Sequence, residues 1–192
     1  AIGTGKAIGL TGFDITELPE SRASNAATRK ADEAKALAAA GKKVLVIDAN
    51  YVAPLLTEQL GAGDGFTNIL GTAIDEKALK SAIVKTSIDG VDAIGLSATS
   101  LAPVGLASTV GAIAEYVKNV QLYDVLLMEV PALKYHVDGL EVLGFAEAVV
   151  TVHAANNVMN TAAIESVQRV QQYSKYYLGA VLNKVELDVL EM

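Results

Sequence analysis

The feature that most constrains this chain is a set of apolar runs that do not alternate: "KKVLVIDA" at 42–49, "VDAIGLSA" at 91–98, "YDVLLMEV" at 123–130, "AVVTVHA" at 148–154 and "YLGAVLNKV" at 177–185. A strand with one wet face alternates apolar and polar residues, whereas a strand covered on both faces reads as a continuous apolar run. With "AIGLTGF" at 7–13 the runs predict six strands. Helical periodicity fills the intervals at 24–40, 51–60, 76–84, 105–120, 136–145 and 157–173. This alternation predicts an α/β fold: a mainly parallel sheet of six to seven strands with helices on both faces and right-handed crossovers. Ligands of such sheets sit at the carboxyl ends of the strands.

A chain of 192 residues with 52% apolar content can bury one sizeable core, so residues 1–192 are expected to form a single domain, with 1–5 as a flexible lead-in. The net charge of −7 removes the basic field that nonspecific binding to nucleic acid or anionic lipid requires. No nucleic-acid partner is expected. Cysteine is absent, which excludes disulfides and thiolate metal sites. Residues 93–114 carry no charge, but Ser97, Thr99, Ser100, Ser108, Thr109 and Pro103 dilute and punctuate them, so strand, loop and helix are expected there rather than a membrane span.

The first predicted helix is built from small residues. Ala23, Ala27, Ala31, Ala34 and Ala38 recur at helical spacing and allow close approach to the sheet, Arg29, Lys30, Glu33 and Lys35 are expected to face water, and Gly41 is placed to end the helix. Other features carry less chemistry. "GTGKA" at 3–7 has letters of a phosphate loop, but it precedes the first predicted strand and no Ser or Thr follows Lys6, so it reads as lead-in. His136 and His153 have no metal-ligand spacing, and the glycines of 61–65 read as a flexible loop.

"ALAAAGKKVLVIDAN", "GFTNILGTAIDEKALKSAI", "YDVLLMEVP" and "LGAVLNKV" together resemble the cytoplasmic kinase domain of bacterial tyrosine kinases that accompany polysaccharide chain-length regulators. That family belongs to the deviant P-loop ATPases related to partition and septum-site ATPases, and the likeness runs over about residues 6–186 in the family's order. By this resemblance the phosphate loop G-x-G-K-[ST] falls on Ala23, Ser24, Asn25, Ala26 and Ala27, where both glycines, the lysine and the hydroxyl are missing. The connection at 14–22 is longer than the family's and carries Asp14, Glu17 and Glu20, which would repel a triphosphate. Asp48 matches the first aspartate of the family's Walker A′ segment, Asn50 and Val52 replace the second aspartate and the arginine, and Glu129 replaces the Walker B aspartate. Asn183 matches a position near the nucleotide base.

The resemblance therefore implies a pseudokinase-like cytoplasmic domain of exopolysaccharide synthesis, acting as a scaffold or regulator on a polysaccharide assembly or export protein or a membrane co-polymerase. Neither ATP nor Mg2+ is expected, and tethering to the inner membrane would come from a portion before Ala1. Asp48 and Glu129 are the remnant carboxylates, and they are the metal-side groups if an altered loop still binds ATP and Mg2+ in an active autokinase. A partition-type positioning ATPase is the third reading. The tail, "ELDVLEM", lacks the family's tyrosine cluster, and Tyr173, Tyr176 and Tyr177 are expected to pack. Without the family's Glu/Arg ring motif, a monomer or dimer is expected.

Overall fold

The computed structural model describes residues 6–12, 20–133, 135–154 and 161–183. Seven strands form one sheet: β1 (Lys6–Gly12), β2 (Val44–Asp48), β3 (Val84–Lys85), β4 (Val91–Ile94), β5 (Val125–Val130), β6 (Ala148–Ala154) and β7 (Tyr177–Asn183), in spatial order β3-β4-β2-β5-β1-β6-β7. All pairings are parallel except β3 with β4. The two-residue β3 begins at the last residue of the stretch expected to be helix, because Ile83 already turns to extended backbone.

The buried runs divide by the alternation of the pleat. Val44 and Val46 of β2 face Ala34 of α1 (Glu20–Ala39) and Leu56 and Leu60 of α2 (Leu55–Leu60). Leu45 and Ile47 face the other layer, where α3 (Glu76–Ala82), α4 (Leu106–Val120), α5 (Gly139–Leu143) and α6 (Thr161–Tyr173) contribute Leu79, Val110, Ile113, Leu143 and Val170. Helices thus cover both faces, as the continuous runs require.

Element boundaries depart from the sequence reading where local chemistry intervenes. Pro54 holds α2 back to Leu55, and α5 is confined to five residues. The helix α1 starts at Glu20, four residues before the expected start, and Gly41 ends it at φ +78° with Lys42 N–H bonded back to the Leu37 carbonyl. Residues 61–65 form a packed loop: a Cβ at Gly65 would lie 2.2 Å from the Ala82 carbonyl oxygen, and one at Gly95 would lie 2.1 Å from that of Gly63. Close backbone approach accounts for Gly65, and left-handed backbone at φ +63° and +60° accounts for Gly61 and Gly63. Among the described residues, no helix is long and apolar enough to cross a membrane.

Residues 1–5, expected as a lead-in, Asp14 and Glu17 of the long connection, and the "ELDVLEM" tail lie outside the described residues.

Candidate functional site

Strands β2 and β5 are neighbours near the centre of the sheet, and their register sets Asp48 directly beside Glu129. Both carboxylates end up buried, at 2% and 4% exposure, at the carboxyl end of the sheet. Two anions in that position need compensation, because a buried charge without a partner is strongly disfavoured.

Asp48 is compensated by hydrogen bonds from its own neighbourhood. Its Oδ1 accepts the Asn50 N–H at 3.1 Å, and its Oδ2 accepts both the Thr57 N–H and the Thr57 hydroxyl at 2.8 Å. Thr57 lies in the first turn of α2, whose N-cap residue Pro54 offers no side-chain bond, so Asp48 supplies the missing acceptor from across the loop. The Thr57 hydroxyl in turn accepts the Leu96 N–H at 3.1 Å, tying the end of β4 to the same carboxylate. Burial first, and then the charge of Glu129, push the Asp48 carboxyl up to about 7.

Glu129 is compensated by a cation. The Nζ of Lys30 on α1 lies 2.7 Å from Glu129 Oε1, and the two side chains are only 3% and 4% exposed. Asn50 Nδ2 donates to the same oxygen at a long 3.5 Å, so Asn50 touches both carboxylates, Asp48 through its backbone N–H and Glu129 through its side-chain amide. The lysine contact is an ion pair without hydrogen-bond alignment: among the described residues, neither Lys30 Nζ nor Glu129 Oε2 has a hydrogen-bond partner.

Lys30 is the site residue that sequence reasoning misses, because its charge assigns it to water. Its spacing holds the signal, since it stands four residues before Ala34 and eight before Ala38, on the face of α1 that packs against the sheet. The remaining sequence-derived positions are dispersed. Ala23, Ser24, Asn25, Ala26 and Ala27 lie inside α1, and Asn183 ends β7, paired with Ala154 at the edge of the sheet. His136 meets the ring of Tyr51 edge-on at 5.7 Å, and His153 Nε2 lies 3.0 Å from the Thr151 hydroxyl. Tyr177 reaches the same Thr151 hydroxyl at 2.9 Å, whereas Tyr173 and Tyr176 are exposed at 62% and 61%, contrary to the expectation that all three pack. Tyr173 is the last residue of α6 and Tyr176 immediately precedes β7, the edge strand.

A cavity of about 320 Å3 opens on this end of the sheet, lined among others by Ala49, Tyr51, Gly105, Pro131 and Asp138. The Tyr51 hydroxyl donates to Asp138 Oδ2 at 3.3 Å, and burial with the nearby Asp138 charge pushes the phenol up to about 12. A groove of about 550 Å3, lined by Lys43, Lys80, Lys85, Asp92 and Tyr123, lies at the opposite, amino ends of the strands. That is the wrong end for a ligand of a parallel sheet.

Solved structures share this architecture. The chimerical protein CapA2B2 matches with a TM-score of 0.72 at 20% identity, over 96% of this chain and 77% of that one. The kinase domain of the Escherichia coli tyrosine kinase ETK matches with a TM-score of 0.70 at 22% identity, over 94% of this chain and 68% of that one. The septum site-determining protein MinD of Pyrococcus horikoshii, complexed with Mg-ADP, matches with a TM-score of 0.68 at 19% identity, over 93% and 70%. The fold is that of bacterial tyrosine-kinase domains and MinD-type P-loop ATPases. No family model matches the chain. Among curated proteins the likeness is short: 36 residues are 61% identical to the ribosomal RNA large subunit methyltransferase H of Bradyrhizobium sp. (strain ORS 278), spanning 19% of this chain and 22% of that protein. The chain thus spans about a fifth of the length of the curated relatives it matches.

A magnesium nucleotide of the kind bound by that MinD protein does not fit these residues. From Ser24 onward the amides of α1 lie past the first four of the helix, so their N–H groups are bonded to carbonyls four residues back and cannot cradle phosphate. Mg2+ takes oxygen ligands, but both Asp48 oxygens accept protein N–H or O–H groups and one Glu129 oxygen carries Lys30.

The shifted carboxyl has a consequence for stability. Since the Asp48 carboxyl moves from an ordinary 3.8 to about 7 on folding, its contribution is fully present below about pH 4 and is lost as pH rises through about 7. Urea unfolding of the native chain and of Asp48→Asn across that interval is expected to show a decline with pH that is shallower in the variant. Equal slopes would assign the decline elsewhere.

Proposed function

We propose that this chain is a non-catalytic relative of the tyrosine-kinase domains that regulate polysaccharide chain length, serving exopolysaccharide synthesis or export as a scaffold or regulatory module. The observation that carries the reading is the continuity of α1 through all five phosphate-loop positions. A framework matching kinase domains over more than nine-tenths of this chain keeps its sheet while the groups that would hold a nucleotide are helix interior. Its partner in this reading is a polysaccharide assembly or export protein or a membrane co-polymerase, met on the cytoplasmic side of the inner membrane by a monomer or dimer.

Isothermal titration with Mg-ATP and Mg-ADP tests the claim. No heat of binding is expected up to millimolar nucleotide. Micromolar affinity that disappears in Asp48→Ala would overturn the non-catalytic reading in favour of an ATP-using kinase.

A further inference from the structure

We propose that the groove at the amino ends of the strands binds a neutral planar base with a lactam edge, guanine in type, read by Asp92 and Lys85. The site is independent of whatever the carboxyl end of the sheet holds, and its distance from that end makes the occupant an effector rather than a substrate. Its basis is one buried carboxylate. Asp92 stands on β4 opposite Lys85 of the edge strand β3, and its side chain is 10% exposed whereas that of Lys85 is 86% exposed. Both donors that reach Asp92 take the same oxygen: Lys85 Nζ meets Oδ2 at 2.9 Å and the Tyr123 hydroxyl meets it at 2.7 Å.

Oδ1 is left over. Among the described residues nothing donates to it, and the side-chain polar atoms that are both sealed and unbonded are Lys30 Nζ, Glu129 Oε2 and Ser174 Oγ, so Asp92 Oδ1 is open to solvent. Burial first, and then the bond to Asp92, push the Tyr123 phenol above its ordinary range, which keeps it a donor to Oδ2. The Lys85 ammonium spends one of its N–H groups on Asp92 and keeps the others. The groove therefore offers an acceptor beside a donor, between apolar walls supplied by Leu79, Ile83, Val91 and Leu122, in a volume of about 550 Å3. Charge around it is balanced, Lys43, Lys80 and Lys85 against Glu76, Asp89 and Asp92, which favours an occupant without net charge. A guanine edge has the matching order: O6 accepts from Lys85 while the neighbouring N1–H and 2-amino group donate to Asp92 Oδ1, and the ring lies on the apolar walls. Adenine presents the reverse order, an amino donor toward the ammonium and a bare N1 toward the carboxylate, and leaves both protein groups unpaired.

The full chain, labelled with 15N, is titrated with guanosine and with adenosine while the backbone amides of Gly90, Val91 and Asp92 are followed by NMR. Millimolar guanosine is expected to shift these groove amides, with adenosine at least ~10-fold weaker. Asp92→Asn is expected to abolish the preference for guanosine, because the side-chain N–H2 then faces the donors of the base. Lys85→Met, made at an exposed side chain, is expected to keep the melting temperature of the native chain and to weaken guanosine at least ~3-fold, so it carries the test if Asp92→Asn fails to fold. Groove amides that guanosine leaves unmoved, adenosine that binds as tightly, or a Lys85→Met variant with native affinity would each overturn the proposal. Since neither nucleoside carries the phosphates that a kinase site holds, this result is read separately from the Mg-ATP titration.

Discussion

Two carboxylates end neighbouring strands inside a sheet that is covered on both faces, and much of the site's geometry follows from compensating them. Desolvated anions side by side are unstable together unless something donates to them or neutralises them. The chain meets this in two different ways. Asp48 collects backbone and hydroxyl donors and in doing so fixes the start of α2 and the end of β4, while Glu129 draws a lysine from α1 into the core. The helix that would begin at a phosphate loop in the kinase-like fold is here bound to the sheet by that ion pair and by its small-residue face.

The parallel sheet is legible in the sequence because burial on both faces removes polar residues from the central strands, and a run such as "VLLMEV" is what that burial leaves. The strand order is not legible, since it depends on which crossovers pack beside one another. Asp48 and Glu129 are nevertheless legible as a candidate carboxylate pair at two strand ends, and the register of β2 on β5 supplies their direct adjacency. Lys30 is hidden for a related reason. Charge predicts exposure for an isolated residue, but a residue on the face shared with Ala34 follows that face into the core when a carboxylate waits there. The short antiparallel β3 and the exposed Tyr173 and Tyr176 lie at the sheet's two edges, where sequence pattern constrains least because few neighbours impose it.

Two likenesses of different kind meet in this chain, one spread over the whole fold at about one residue in five and one concentrated in a few dozen residues. The fold needs only that its strands be apolar and its helices have a face to bury, so it tolerates a changed helix where it does not tolerate a changed strand. The phosphate loop contributes to ligand binding rather than to the core. A helix in its place therefore leaves the architecture standing.

Hydrogen exchange of the α1 amides, with and without Mg-ATP, tests most directly whether the loop positions are closed helix, because slow exchange reports a closed helical hydrogen bond and nucleotide-dependent protection reports a loop that orders on its ligand. The amides of Ser24 through Lys30 are expected to be protected in the free chain and unchanged by nucleotide. Amides that exchange freely there and become protected when Mg-ATP is added would contradict a non-catalytic domain.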